Sequence, residues 1–166
     1  MQVHKVKGYT LIELLVTVSI LILVTGSSMA AYLTFSENRN LVIDANNLNA
    51  LINKVRSKAV FLEYPNGCNG LIGYNLKSEY NSGGQNTIIK YYAHCSSGDS
   101  TPIFNEVLKS SILIQDINLT FLPGNGNLSS SADTEIVLQS TKGANKTKKI
   151  IINQFLGSNN VINKEE

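Results

Sequence analysis

The chain has 166 residues, 43% of them hydrophobic and only 16% charged, with a formal net charge of +2 at pH 7. That length suits a single domain, and so small a charge excludes a strongly basic nucleic-acid binder as the starting assumption. Two cysteines cannot build a disulfide-dense scaffold, and two histidines without any tryptophan offer little from which to assemble a catalytic or metal centre.

Lys5 and Lys7 precede an apolar stretch from Tyr9 to Leu33 in which Glu13 is the sole acid or base, tyrosines aside; the next basic residue is Arg39. This asymmetry places the N-terminus in the cytoplasm and the remainder outside. As a helix, the 25 residues would be roughly 37 Å long, enough to cross a bilayer. Thr25-Gly26-Ser27-Ser28 interrupts the aliphatic residues. A secretory signal cut after Ala30, or a plain membrane anchor, would account for the apolarity. Neither accounts for Glu13, because a carboxylate within a membrane segment costs about 2.5–3.5 kcal/mol on insertion scales and calls for a partner. Cleavage after Gly8 would supply one. It creates an ammonium at Tyr9, which in a helix lies one turn before Glu13 on the same face. The amine can come from the same chain or from a neighbour, and only the neighbour's builds a polymer.

The run Lys7-Gly8-Tyr9-Thr10-Leu11-Ile12-Glu13-Leu14-Leu15-Val16 resembles the processing signature of type IV pilins and type II secretion pseudopilins. The resemblance implies that residues 1–8 are a leader peptide and that a prepilin peptidase cuts between Gly8 and Tyr9. It further implies that Tyr9 becomes N-methylated and that Glu13 guides docking into a filament. The family usually begins its mature chain with Phe, where this chain has Tyr9. The partners implied are other pilin or pseudopilin subunits, the prepilin peptidase, the inner-membrane assembly platform and the membrane itself. The location implied is a single pass of the inner membrane, N-terminus inside and head outside, followed by an extracellular or periplasmic filament. Loss of the leader removes Lys5 and Lys7 and leaves basic and acidic side chains in balance, so the positive charge is a targeting feature.

Beyond the Gly26–Ser28 interruption, Leu41, Ala45, Leu48, Ile52, Val55, Ala59 and Leu62 recur at spacings of four and three, an apolar stripe down a helix. Leu51 and Phe61 widen it, while Asn46, Asn47, Asn49, Asn53, Lys54 and Arg56 take the other faces. A two-stranded coiled coil would share this period but wants flanking charge pairs. Tyr64-Pro65-Asn66-Gly67 is expected to end the helix, since the residue before Pro is pushed out of the helical region.

Everything after Pro65 reads as β-structure. Leu71–Leu76, Thr87–His94, Ser111–Leu122, Thr134–Ser140 and Lys148–Phe155 are rich in Ile, Val, Tyr, Phe and Thr, with Gly-containing turns between them. In the third run Ile112 and Ile114 keep one phase, whereas Ile117, Leu119 and Phe121 keep the other, so a bulge or break is expected near Gln115-Asp116. The fold class is α+β: a long N-terminal helix packed on an antiparallel sheet head, without helices for parallel crossovers. The expected organisation is a leader (1–8), a transmembrane and polymerisation helix (9–33), an amphipathic helix packing on the head (34–64) and a β-rich head (65–166). This order resembles GspH/FimT-type minor pilins and pseudopilins, as do the strand entering Pro123-Gly124-Asn125-Gly126 and the closing pair Thr134–Leu138 and Lys148–Gly157. Some such proteins carry a DNA-contacting Gly-Arg pattern after the last strand; here Gly157 is followed by Ser158, Asn159 and Asn160.

Cys68 and Cys95 fall in the exported head and are expected to form a bridge, worth about 3 kcal/mol in the chain-entropy model; two free thiols are the alternative in a reducing host. His94 beside Cys95 would point to the opposite face of a strand and has no third group to orient it, so no catalytic residue is assigned. Lys142, Lys146, Lys148 and Lys149 cluster near a hairpin tip, as a solvated edge-protecting group or as an anion or DNA contact. Lys90-Tyr91-Tyr92 suits either a base-stacking platform or a half-buried strand. The sequence implies no enzyme activity, no cofactor and no metal. It reads as a filament subunit, either a minor pilin or pseudopilin, with a major pilin or a DNA-binding minor pilin as alternatives.

Overall fold

The computed structural model describes residues 9–142, 146–155 and 160–165, which divide after Ser36 into two compact units. One helix, α1 (Leu11–Val60), contributes to both. Nine strands follow: β1 (Leu71–Tyr80), β2 (Asn86–Cys95), β3 (Gly98–Asp99), β4 (Phe104–Val107), β5 (Ser111–Leu113), β6 (Asn118–Phe121), β7 (Thr134–Ser140), β8 (Lys146–Ile152) and β9 (Asn160–Glu165).

In the first unit the helix passes through Gly26–Ser28 without a break, as one long helix requires. The hydroxyls that seemed to interrupt it donate to the preceding turn: Thr25 Oγ1 to Leu21 O (2.7 Å), Ser27 Oγ to Val24 O (3.0 Å) and Ser28 Oγ to Val24 O (2.8 Å). Such back-bonding keeps a polar side chain satisfied without unwinding the backbone, and a lone Gly costs only about 1 kcal/mol relative to Ala in a helix.

In the second unit α1 buries Leu41, Ala45, Leu48, Leu51, Ile52, Val55 and Ala59 in the head's core. Phe61 and Leu62, assigned by periodicity to that stripe or its margin, are exposed because the helix stops at Val60. The stop lies ahead of the Pro65 signal. Leu62 N–H donates to Ala59 O (3.3 Å) and Glu63 N–H to Lys58 O (3.2 Å), while Leu62 takes a left-handed φ of 52°. These two bonds make a Schellman C-cap, with leucine at the position where glycine is usual. Arg56, expected on a solvent face, is buried instead: its Nη2 donates to Asn153 O (2.7 Å) and its guanidinium lies 5.3 Å from the Phe121 ring centroid.

The strands form two antiparallel sheets. One has the order β3-β2-β1-β6, with β4 also pairing β2; the other has the order β5-β7-β8-β9. The phase change near Gln115-Asp116 marks the passage between them. Ser111–Leu113 pairs β7, whereas Asn118–Phe121 pairs β1, so the third apolar run is two strands in two sheets. Strands β3, β4 and β9 were not read in the sequence. A tight turn carries β6 back towards α1, where Gly124 N–H donates to Ala59 O (2.9 Å). Gly126 is required there: its φ is +64°, and a Cβ would come within 2.6 Å of Val60 Cγ2. Cys68 and Cys95 are joined in a disulfide, with Cα atoms 5.6 Å apart, tying the loop after α1 to the end of β2.

Candidate functional site

The residues singled out at the N-terminus sit where α1 begins. Thr10 O accepts the first helical bond from Leu14 N–H (3.2 Å), and Thr10 Oγ1 accepts the Glu13 backbone N–H (3.3 Å). Thr10 is therefore the N-cap and Glu13 the third helical residue, which forms the threonine half of a capping box. A carboxylate in the first turn also faces the positive end of the helix dipole. Tyr9, 80% exposed, precedes the helix. It is thus not set one helical turn below Glu13 in its own chain, as the simple four-residue spacing suggests. Gly8 lies outside the described residues. The capping signature, a Thr three residues before a Glu, stands in the sequence and could have been read there.

From Leu11 to Leu33, apart from Ala30, whose side chain is outside the description, every side chain is exposed, Glu13 among them. The segment is long and apolar enough to cross a membrane. Its hydroxyls are suited to that surrounding. Thr17 Oγ1 donates to Leu14 O (2.9 Å) and Ser19 Oγ to Leu15 O (2.8 Å), like those around Gly26, so none of these serine and threonine hydroxyls must seek a partner in lipid.

The lysines do not converge. On β8, Lys146 and Lys148 alternate with Thr147 and Lys149, so they point to opposite faces of the sheet. Lys148 is only 8% exposed, Lys149 is ion-paired with Glu135, and Lys142 is exposed in the turn after β7. Alternation likewise divides the tyrosine pair: Tyr91 is buried against Phe104 with ring centroids 5.8 Å apart, whereas Lys77 lies over Tyr92 at 5.2 Å. The tail from Gly157 to Asn159 lies outside the described residues. His94 pairs with exposed Asp99 across the β2–β3 turn. Among the described residues no cluster of His, Cys, Asp and Glu is gathered to hold a metal ion.

An open cleft of about 220 Å³ lies where β6 and β7 leave the two sheets unjoined, bordered by Asp116, Asn118, Ser129 and Glu135. Its acids are already engaged: Asp116 Oδ1 accepts from Asn86 Nδ2 (2.7 Å) and Glu135 meets Lys149. The perturbed ionisations lie partly in the core and partly at the surface, where hydrogen bonds to Tyr92 and Asp116 raise Lys77 and Tyr80. Burial raises the Tyr74 and Tyr91 phenols above their ordinary value and lowers Arg56, while a hydrogen bond to Glu63 raises Lys58.

Residues 3–29 match the family described as "Prokaryotic N-terminal methylation motif". The match contains the whole helix start, with Gly8, Tyr9, Thr10 and Glu13. A comparison with curated protein sequences finds no match. Among solved structures, the chain is similar to the type IV minor pilin FimU of Pseudomonas aeruginosa (strain PAO1). The identity is 15%, the coverage 78% of this chain and 92% of that chain, and the TM-score 0.53. At that identity the likeness is one of fold. It is the pilin-like α+β architecture: a long N-terminal helix packed against antiparallel sheets.

Proposed function

We propose that the protein is a structural, non-enzymatic subunit, a minor pilin or pseudopilin, of a type IV pilus or type II secretion-like filament. The observation that carries this reading is Glu13. It is a lone carboxylate at the start of an apolar helix, within a methylation motif, four residues after the tyrosine that would become the new N-terminus. The precursor inserts with Lys5 and Lys7 on the cytoplasmic side. A prepilin peptidase removes residues 1–8 and methylates the Tyr9 amine. Residues 9–33 hold the chain in the membrane, residues 34–64 pack on the head, and residues 65–166 form the exported head.

Assembly moves apolar helix surface from lipid into a bundle of like helices, a transfer with little intrinsic preference because lipid tails are as apolar as leucine. The bias comes from charge. A carboxylate and an ammonium that are each costly in hydrocarbon become a pair when Glu13 meets the Tyr9 amine of a neighbour, and that pair fixes the axial register. Because Tyr9 lies outside the helix, its amine is free to turn to another chain.

N-terminal sequencing of the chain extracted from membranes tests the proposal. The expected first residue is an N-methylated tyrosine, and any other first residue overturns it.

A further inference from the structure

We propose that Asn66 is a site of self-modification, its side-chain amide converting to a carboxylate by attack of the Gly67 nitrogen, while the fold protects the other two Asn-Gly pairs. This holds whether or not the chain joins a filament. Asn66-Gly67, Asn69-Gly70 and Asn125-Gly126 carry the same two side chains, so a difference in their chemistry comes from what holds each peptide. In such a pair the glycine N–H loses its proton and the nitrogen bonds to asparagine Cγ, closing a succinimide ring and expelling ammonia. Water then opens the ring at either carbonyl and leaves aspartate or isoaspartate, so one water enters for each ammonia lost. The nitrogen reaches Cγ only when the peptide between the two residues turns about the asparagine ψ and the glycine φ, and glycine tolerates either sign of φ.

That peptide is free at Asn66. Residues Pro65 to Cys68 form a turn closed by Cys68 N–H to Pro65 O (3.1 Å), with Gly67 at a φ of +83°, the type II geometry. The Asn66–Gly67 peptide is the middle one of the turn, and among the described residues neither its carbonyl nor its N–H makes a hydrogen bond. Both residues are exposed. The other two pairs are held. Asn69 O accepts from Ser96 Oγ, and the next carbonyl, Gly70 O, accepts Ser96 N–H (2.9 Å), which fastens this peptide to the chain leaving β2. In the third pair the attacking nitrogen is itself engaged: Gly126 N–H donates to Leu122 O (3.0 Å), and Asn125 Oδ1 accepts Asn127 N–H (3.0 Å). The product carboxylate at position 66 stands on the rim of an open cavity that Asn66 lines with Cys68, Cys95 and Asp99. Because the reaction consumes only water, its extent records the age of the molecule.

The test incubates the full-length chain in detergent in a warm, mildly alkaline buffer. Peptide mass spectrometry follows each amide, with fragment ions separating Asn66 from Asn69. Asn66 is expected to convert about ten-fold faster than Asn69 and Asn125, the weight of one to two hydrogen bonds. In denaturant, where the restraints of the fold are gone, the three are expected to convert at similar rates. Ser96→Ala frees the Asn69 carbonyl and is expected to speed Asn69 about five-fold, with Asn125 unchanged as a report that the head stays folded. Equal rates at the three pairs of the folded chain, or an Asn66 that converts only in denaturant, would overturn the proposal. An Asn69 as slow in Ser96→Ala as in wild type would overturn the protection assigned to Ser96.

Discussion

Asp44 Oδ2 accepts hydrogen bonds from Ser111 Oγ (2.8 Å) and Ser110 N–H (2.9 Å), joining α1 to the start of β5. The carboxylate is buried and Ser111 is fully so, which makes this contact a fixed point between the helix and the second sheet. Asp44→Ala would leave both donors without their acceptor, and Ser111 Oγ is shut off from water. It is expected to destabilise the head by about 2–3 kcal/mol, and Asp44→Asn, which keeps one acceptor oxygen, by about 1 kcal/mol. Denaturant unfolding of the full chain in detergent measures both.

Alkaline pH is expected to weaken the head. Tyr74 is buried, its hydroxyl donates to Glu63 O, and burial raises its folded-state value above the ordinary 10.0; Tyr91 is raised for the same reason. A group with a raised folded-state value contributes stability that is complete below the unfolded value and is lost as pH climbs through the folded one. Stability should therefore be flat with respect to these two groups below about pH 10 and fall above it. Replacing both by Phe should flatten that fall, read as the unfolding midpoint against pH. An unchanged slope in the double variant would count against it.

Leu62 sits in the left-handed region where glycine would be unstrained. Leu62→Gly is expected to stabilise the head by about 0.5–1 kcal/mol, since relief of the backbone strain exceeds glycine's extra entropy in the unfolded chain. The side chain is 44% exposed, so the packing lost is partial and smaller than that of a core leucine. A lowered unfolding midpoint would show that Leu62 contributes contacts greater than its strain.

Glu13→Ala is expected to be processed normally yet to be missing from sheared fibres. The scissile bond does not involve the carboxylate, whereas the intersubunit pair does. Immunoblotting of membrane and fibre fractions separates the two steps, and normal incorporation of the variant would refute the register role.

How much of this could be read in the sequence depended on the range of the interaction concerned. The stripe from Leu41 to Ala59 was legible because burial on one helix face repeats every three or four residues. The phase shift between Ile114 and Ile117 was legible because side chains alternate along a strand. The end of α1 was not: the cap is made by Leu62, a residue with no preference for that conformation, and Pro65 offered a stronger but later signal. Strands β3 and β4 escaped notice because they are short pieces on the edge of β2, held by pairing rather than by their own pattern.

By itself the sequence determined the apolar N-terminal segment, its single carboxylate beside a cleavage signature, and the change from helical to strand periodicity. Each is a relation between residues a few positions apart, and local backbone geometry suffices to enforce it. The tertiary structure decided which sheet each half of the Ser111–Leu122 run would join, that Arg56 and Asp44 would be buried, and that the lysines of β8 would be split between two faces. Those outcomes turn on segments distant in the chain, such as Arg56 and Asn153, separated by 97 positions. A buried polar group is tolerable only where the fold brings it a partner, and no local pattern announces where that partner will come from.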